Sequence, residues 1–298
     1  MGKIAIIGAN GYIARNLIHV LKRDYPDYEL DLYGRSARSI DNYDHYRSVD
    51  LCSRELVKMI DLSCDIVFQL AGRTGSANGF VEYDSFIDSN ERALLNLLDE
   101  YRNQNSTARL VFPSTRLVYK GKPEAQKEDA EKEFKTVYAI SKYACEQYLE
   151  QFNRAFGIQY TIFRVCVPYG TLVPNASSYG TAEFMLSKAA KGEAITLYGD
   201  GTVRRTLTYI EDICRTMIIG ALSPACMNDV FNIGGEDYSL CEMADLIAAR
   251  FGVDVEYIPW PDLALKIESG DTVFNSEKLD STIGRYIKSK FRDWVSQA

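Results

Sequence analysis

Tyr138 and Lys142 stand four residues apart in Thr136-Val-Tyr-Ala-Ile-Ser-Lys-Tyr-Ala-Cys-Glu146, a stretch that reads as helix. That spacing puts both side chains on one helix face, where they can act together. A phenol ionises near pH ~10, too high to trade protons at neutrality. A neighbouring ammonium favours the phenolate and lowers that value, making tyrosine a usable general acid/base. With 20 Tyr among 298 residues, such a pair is expected about once by chance. Its weight comes from what lies upstream.

Upstream is Gly8-Ala-Asn-Gly11-Tyr-Ile-Ala14, directly after the apolar, branched run Lys3-Ile-Ala-Ile-Ile7. The run reads as a buried parallel strand. Ile13, Leu17, Val20 and Leu21 then recur at helical spacing. Strand, glycine turn and helix form the setting of a dinucleotide fingerprint, in which glycine lets backbone approach a pyrophosphate at a helix N-terminus. Gly8, Asn10, Gly11, Tyr12 and Ile13 are the candidate contacts. The competing reading is an ordinary tight turn between strand and helix.

With these motifs in place, the chain resembles the extended short-chain dehydrogenase/reductase family, in its nucleotide-sugar epimerase, dehydratase and reductase branch. The resemblance runs nearly end to end, through Val49-Asp50-Leu51, Asp65-Ile-Val-Phe-Gln-Leu-Ala-Gly72, Ser89-Asn90 and Leu110-Val-Phe-Pro-Ser-Thr-Arg-Leu-Val-Tyr119. It continues through Phe163-Arg164 to Tyr169-Gly170, Tyr198-Gly-Asp-Gly-Thr-Val-Arg-Arg205 and Phe231-Asn-Ile-Gly-Gly235. It implies that Asp50, Leu51, Leu70, Ala71 and Gly72 border a nicotinamide coenzyme together with Tyr138 and Lys142. It also implies three catalytic roles. Tyr138 exchanges a proton with the sugar C4 oxygen, and Thr115, beside Ser114, steadies that oxygen. Lys142 lowers the tyrosine pKa and holds the nicotinamide ribose.

The coenzyme is read about 20 positions past the glycine turn, where NAD enzymes place an acidic residue for the ribose hydroxyls. This chain has Tyr33-Gly34-Arg35-Ser36 there. Glycine and a guanidinium suit a 2′-phosphate, so Arg35 favours NADP(H), with NAD(H) as the alternative. Arg38 is a second candidate contact. Asp31 is the competing carboxylate, placed within the strand rather than at its end.

The residues after Thr115 separate reaction classes. The family's 4,6-dehydratases carry Asp-Glu there; Arg116-Leu117 cannot supply that acid and base. Relatives that epimerise at C3 and C5 place a cysteine near Leu117 and a histidine farther on, and neither His19 nor His45 matches. Redox at a single carbon remains: reduction of a 4-keto sugar, or 4-epimerisation. The NADP(H) reading tips the choice toward the reductase. Arg205 falls where the family's arginine meets the substrate diphosphate; the less favoured alternative is an ordinary surface ion pair at Arg204 or Arg205. Val167 replaces an asparagine that contacts the nucleotide sugar in relatives. A non-catalytic NADP-binding regulator is the remote alternative.

The elements that must position these residues alternate. Strands are expected at 3–7, 29–33, 65–70, 108–112, 160–165 and 230–233. Helices are expected at 11–23, 53–60, 90–103, 138–155, 180–191, 210–222 and 239–251. This order predicts an α/β fold, a doubly wound parallel (Rossmann) sheet with a smaller α/β substrate lobe. The dinucleotide-binding domain is expected over 1–166 with about 206–235 returning to it, and the substrate lobe over 167–205 and 236–298. Leu94, Leu97, Leu98 and Tyr101 either pair two subunits into the homodimer seen in many relatives or face the protein's own core.

Bulk properties set the remaining bounds. At 46% apolar content the chain can bury a sizeable core. A net charge of −7 with scattered basic residues argues against a nucleic-acid partner. No apolar run approaches the ~18 residues that cross a membrane. Seven cysteines without C-x-x-C spacing or a signal peptide read as reduced thiols in the cytoplasm. No metal site is expected.

Overall fold

Branched apolar residues alternating with amphipathic helices dictate a layered fold, and a computed structural model describing residues 2–176, 178 and 180–298 has that form. The first six strands are β1 (Lys3–Ile7), β2 (Glu29–Gly34), β3 (Tyr46–Ser48), β4 (Ile66–Gln69), β5 (Arg109–Thr115) and β6 (Tyr160–Val165). They are followed by β7 (Val167–Tyr169), β8 (Ile195–Tyr198), β9 (Arg204–Tyr209), β10 (Asp229–Asn232), β11 (Glu236–Ser239) and β12 (Val255–Ile258).

Seven strands form one parallel sheet in the order β3-β2-β1-β4-β5-β6-β10. The order reverses direction between β1 and β4. In doubly wound sheets such a switch opens a crevice beyond the carboxyl ends of the strands. Helices Tyr12–Asp24 and Ile210–Leu222 pack on one face around Leu17, Ile18, Val20 and Met217. Helices Ala93–Asn103 and Val137–Phe156 cover the other. Burial on both faces is why β1 is nearly all apolar, with Ile4, Ala5 and Ile6 fully enclosed.

Beyond β6 the chain leaves this sheet. β7, β9 and β11 form a three-stranded sheet and β8 pairs β12, both packed with helices Thr181–Ala189 and Leu240–Phe251 over a third apolar core. The chain rejoins the large sheet through helix Ile210–Leu222 and β10, so β9 itself belongs to the smaller layer. Six strands lie within two or three residues of their expected places. Among the described residues β3, β7, β8, β9, β11 and β12 were not anticipated. Five of them have three or four residues, β3 and β12 are largely exposed, and β9, though six residues long, reads Arg-Arg-Thr-Leu-Thr-Tyr, all of which hides the apolar alternation that marks a strand. Leu94, Leu97, Leu98 and Tyr101 are at most 1% exposed and face the protein's own core. Among the described residues no helix is long and apolar enough to cross a membrane.

Candidate active site

The glycine turn adopts a conformation only glycine takes easily. Gly8 has φ +87°, its N–H donates to Tyr33 O at 2.7 Å, and an added Cβ would meet Ala71 N at 2.5 Å. Gly11 N–H returns to Gly8 O at 2.8 Å, after which the helix starts at Tyr12. The first intrahelical bond runs from Arg15 N–H to Gly11 O, so the amides of the opening turn face outward. Gly8, Asn10, Gly11, Gly34, Arg35, Asp50, Leu51, Leu70, Ala71 and Gly72 line one open cavity of about 280 Å³ at the switch point. Its cradle fits a phosphate: backbone donors at a helix N-terminus, no side chain at the glycines, and the positive end of the helix dipole.

Two expected contacts need correction. The Tyr12 hydroxyl donates to Gly170 O at 2.7 Å, and Ile13 packs on the core, so neither side chain enters the cavity. Only their backbone amides remain for a phosphate. Asn10 lines the cavity but also ties down a neighbouring loop. Its Nδ2 donates to Arg38 O at 3.0 Å and its Oδ1 accepts from Ile40 N–H at 2.9 Å.

At the carboxyl end of β5, Thr115 closes the strand, and its hydroxyl accepts from Leu117 N–H at 3.3 Å. Helix Val137–Phe156 begins with Thr136 as its cap, accepting from Ala139 N–H at 3.0 Å, and ends at Gly157 with φ +73°. These ends fix the rotation of the helix, so Ala139, Ser141, Lys142, Cys145, Glu146 and Leu149 turn inward. Phe86 meets Tyr138 edge-on with ring centroids 6.4 Å apart. Burial pushes the Tyr138 phenol up to about 12; the nearby Thr115 hydroxyl and the Arg116 charge oppose that rise.

Arg116, rather than Lys142, is the cation that acts on the phenol in this balance. The Lys142 ammonium lies 3.8 Å from the centroid of the Phe112 ring, and burial lowers it to about 8. The cation that favours Tyr138 ionisation is Arg116, one residue beyond Thr115. Tyr138, Lys142 and Thr115 lie outside the lining of the glycine-turn cavity, which ends at Leu70–Arg73 and Ser89. Asn90 bridges the two regions. Its Nδ2 donates to Ser141 Oγ at 3.0 Å on the tyrosine helix, and its Oδ1 accepts from Arg73 N–H at 2.8 Å.

The expected substrate contacts divide. Ser114 is 5% exposed, and its buried hydroxyl has no partner among the described residues. Val167 is 6% exposed and sits in the core of the small lobe opposite Leu207, so its side chain packs rather than binds. Arg205 is 2% exposed and already engaged: Nη2 meets Glu268 Oε1 at 2.5 Å, and Nη1 donates to Gly270 O at 2.6 Å. Arg204 forms an ion pair at the surface with Asp237 at 3.0 Å. Residues not expected at the site are Arg73 and Cys52 in the cavity wall, while Ser89, read only as part of a motif, also lines it and Arg116, read only as excluding dehydration, acts on Tyr138. Arg73 directly follows Leu70-Ala-Gly72 and Arg116 follows Thr115, so adjacency was the available signal.

Comparison with known proteins identifies the family and similar folds. The profile described as the NAD dependent epimerase/dehydratase family matches residues 4–234. A UDP-glucuronate 4-epimerase of Thermodesulfobacterium geofontis is 28% identical over 239 residues, covering 78% of this chain and 72% of that protein. The fold is similar to that of the UDP-glucose 4-epimerase of Thermus thermophilus in complex with NAD, with a TM-score of 0.86 at 23% identity over 99% of this chain and 96% of the other. DesIV, a dTDP-glucose 4,6-dehydratase of Streptomyces venezuelae with NAD and TYD bound, gives a TM-score of 0.87 at 20% identity, over 99% and 95% of the two chains.

Proposed function

This chain is an enzyme of the NAD dependent epimerase/dehydratase family, and within it we propose an NADPH-dependent reductase acting at C4 of a 4-keto nucleotide sugar. The observation that carries the coenzyme choice is the pairing at the end of β2. Gly34 and Arg35 line the cavity, while Asp31, the only carboxylate of that strand's buried part, is held by Lys3 at 2.8 Å. A 2′-phosphate meets a guanidinium there and no competing carboxylate on β2.

The glycine cradle of Gly8, Gly11 and Gly72 and the amides opening helix Tyr12–Asp24 would hold the pyrophosphate, with Asp50 and Leu51 beside the adenine half. A bound nicotinamide supplies or accepts hydride at the sugar carbon. The chain's own residues handle the proton. Tyr138, kept protonated by burial, donates to the C4 oxygen in the reductive direction. Thr115 orients that oxygen, and Arg116 stabilises the phenolate left behind. Residues 1–166 with the returning segment carry the coenzyme in this reading, and the smaller lobe carries the nucleotide sugar. A homodimer would use the outer faces of helices Ala93–Asn103 and Val137–Phe156, where Ile140 stands 51% exposed.

A 4-epimerase with resident NAD is the second reading, favoured by the similar proteins named as 4-epimerases and by the NAD named with two similar structures. A coenzyme balance separates the two. Stoichiometric NADPH loss with a 4-keto nucleotide sugar is the expected result. Interconversion of C4 epimers without added coenzyme assigns the chain to the epimerases instead.

A further inference from the structure

Arg116 carries a charge that no carboxylate among the described residues meets in an ion pair. Its Nη1 donates only to neutral groups, Ser269 Oγ at 2.8 Å and Thr272 Oγ1 at 3.2 Å. Among the described residues it forms no ion pair, and its Nε and Nη2 donate to nothing. The carboxylate of this corner is Glu268, and it is already committed. Its Oε1 accepts from Arg205 Nη2 at 2.5 Å and from Gly270 N–H at 3.0 Å. Of the two guanidinium groups here, only Arg205 is paired with that carboxylate. Burial and the like charge of Arg205 pull Arg116 down to about 10, so it remains charged at neutrality. Holding such a charge against neutral hydroxyls is costly unless an anion joins it. Arg116 as a residue is only partly buried.

The free edge of this guanidinium is Nε with Nη2, a planar fork that matches the two oxygens of a carboxylate. Its location selects which anion. Arg116 follows Thr115 and is near enough for its charge to act on the Tyr138 phenol. A sugar whose C4 oxygen meets Tyr138 presents C5 and its exocyclic C6 next to that point. The diphosphate leaves from C1, at the far end of the pyranose ring. We propose that Arg116 is a specificity-determining residue whose guanidinium receives a C6 carboxylate, so that the preferred substrate is a nucleotide-activated hexuronate rather than the neutral hexose. This inference rests on the nucleotide-sugar reading above.

The test uses the full chain saturated with NADPH or NAD and titrated by calorimetry with glucuronate and glucose diphosphonucleotides. Uridine, thymidine, guanosine and cytidine forms are included, with each free nucleoside diphosphate as the control. The wild type is expected to bind one glucuronate form about 10- to 100-fold tighter than its glucose partner, the range of a charge-assisted pair. Arg116→Met should erase that difference while leaving the glucose form and the free diphosphate unchanged. Arg116→Lys should keep part of it, and retained coenzyme binding shows that each variant is folded. Equal wild-type affinities for the two sugars overturn the inference, whether or not the variants fold. So does an Arg116→Met loss that is as large for the free diphosphate, because the guanidinium then serves the phosphates. If glucose forms bind and turn over without uronate preference, only this inference falls. If no nucleotide sugar or nucleoside diphosphate binds, the nucleotide-sugar reading falls with it.

Discussion

Lys3 Nζ and the Asp31 carboxylate meet at 2.8 Å across adjacent parallel strands, and the same ammonium holds Asp61 at 2.7 Å. Asp31 is 6% exposed and lies opposite Ala5 within the strand pair, three residues before the end of β2. That single pairing changes what the end of the strand can read. The carboxylate that competes with Arg35 for the adenosine ribose is spent on the sheet, and Arg35 stays exposed at the cavity wall.

Arg35→Asp is therefore expected to weaken NADPH binding by about 10- to 100-fold, the worth of a charge-assisted contact, while NADH binding holds or improves. Fluorescence titration with both reduced coenzymes checks this. Unchanged NADPH affinity in the variant removes the arginine from phosphate recognition.

Tyr138→Phe should lower turnover by about 10²- to 10⁴-fold, the usual range for a general acid, with coenzyme affinity intact. With the phenol pushed up to about 12, the group stays protonated through neutrality. The reductive rate should then show no loss from this group between about pH 6 and pH 9, falling only as the phenol ionises. A tyrosine-dependent decline near neutrality would contradict the burial argument.

Lys142 supplies a stability prediction with a definite sign. Its ordinary value of 10.5 is lowered by burial to about 8 in the folded chain. Between those values the unfolded chain binds the extra proton, so stability rises with pH across the window from 8 to 10.5. Below it the buried ammonium costs about 3 kcal/mol. Lys132 is lowered in the same direction, so the informative quantity is the difference between wild type and Lys142→Met. The variant should gain stability at pH ~7 and lose that gain by pH ~10 in urea titrations. A difference independent of pH would count against the shift.

Arg164 and Glu146 form a two-point ion pair at 2.6 and 3.0 Å, each almost fully enclosed, with the Tyr119 hydroxyl and Glu128 O completing the guanidinium shell. Glu146→Gln leaves the guanidinium buried and uncompensated, and about 3–5 kcal/mol of stability should be lost. Chemical denaturation measures it. A loss under about 1 kcal/mol would show that water or backbone replaces the carboxylate.

Much of the frame was legible because it follows from local rules. The branched run before Gly8 reads as strand, the glycine spacing reads as a phosphate turn, and Tyr138 with Lys142 reads as one helix face. The shift of Lys142 to an aromatic partner was not legible. Phe112 lies on β5, and only the packing of helix Val137–Phe156 against that strand brings its ring under the ammonium. The same holds for Leu94 and Leu98, whose helical spacing suits an interface as well as a core.

Sequence alone determined the family-like order of motifs, the parallel sheet, and which residue types stand at the cleft. Those are set by periodicity, glycine geometry and caps within a few residues of chain. Tertiary structure alone decided which cations are free. Arg205 is bound by Glu268, 63 residues away, and Arg116 is anchored by Ser269, 153 residues away. Whether a charge is neutralised depends on partners brought together by folding, and no local pattern encodes that distance.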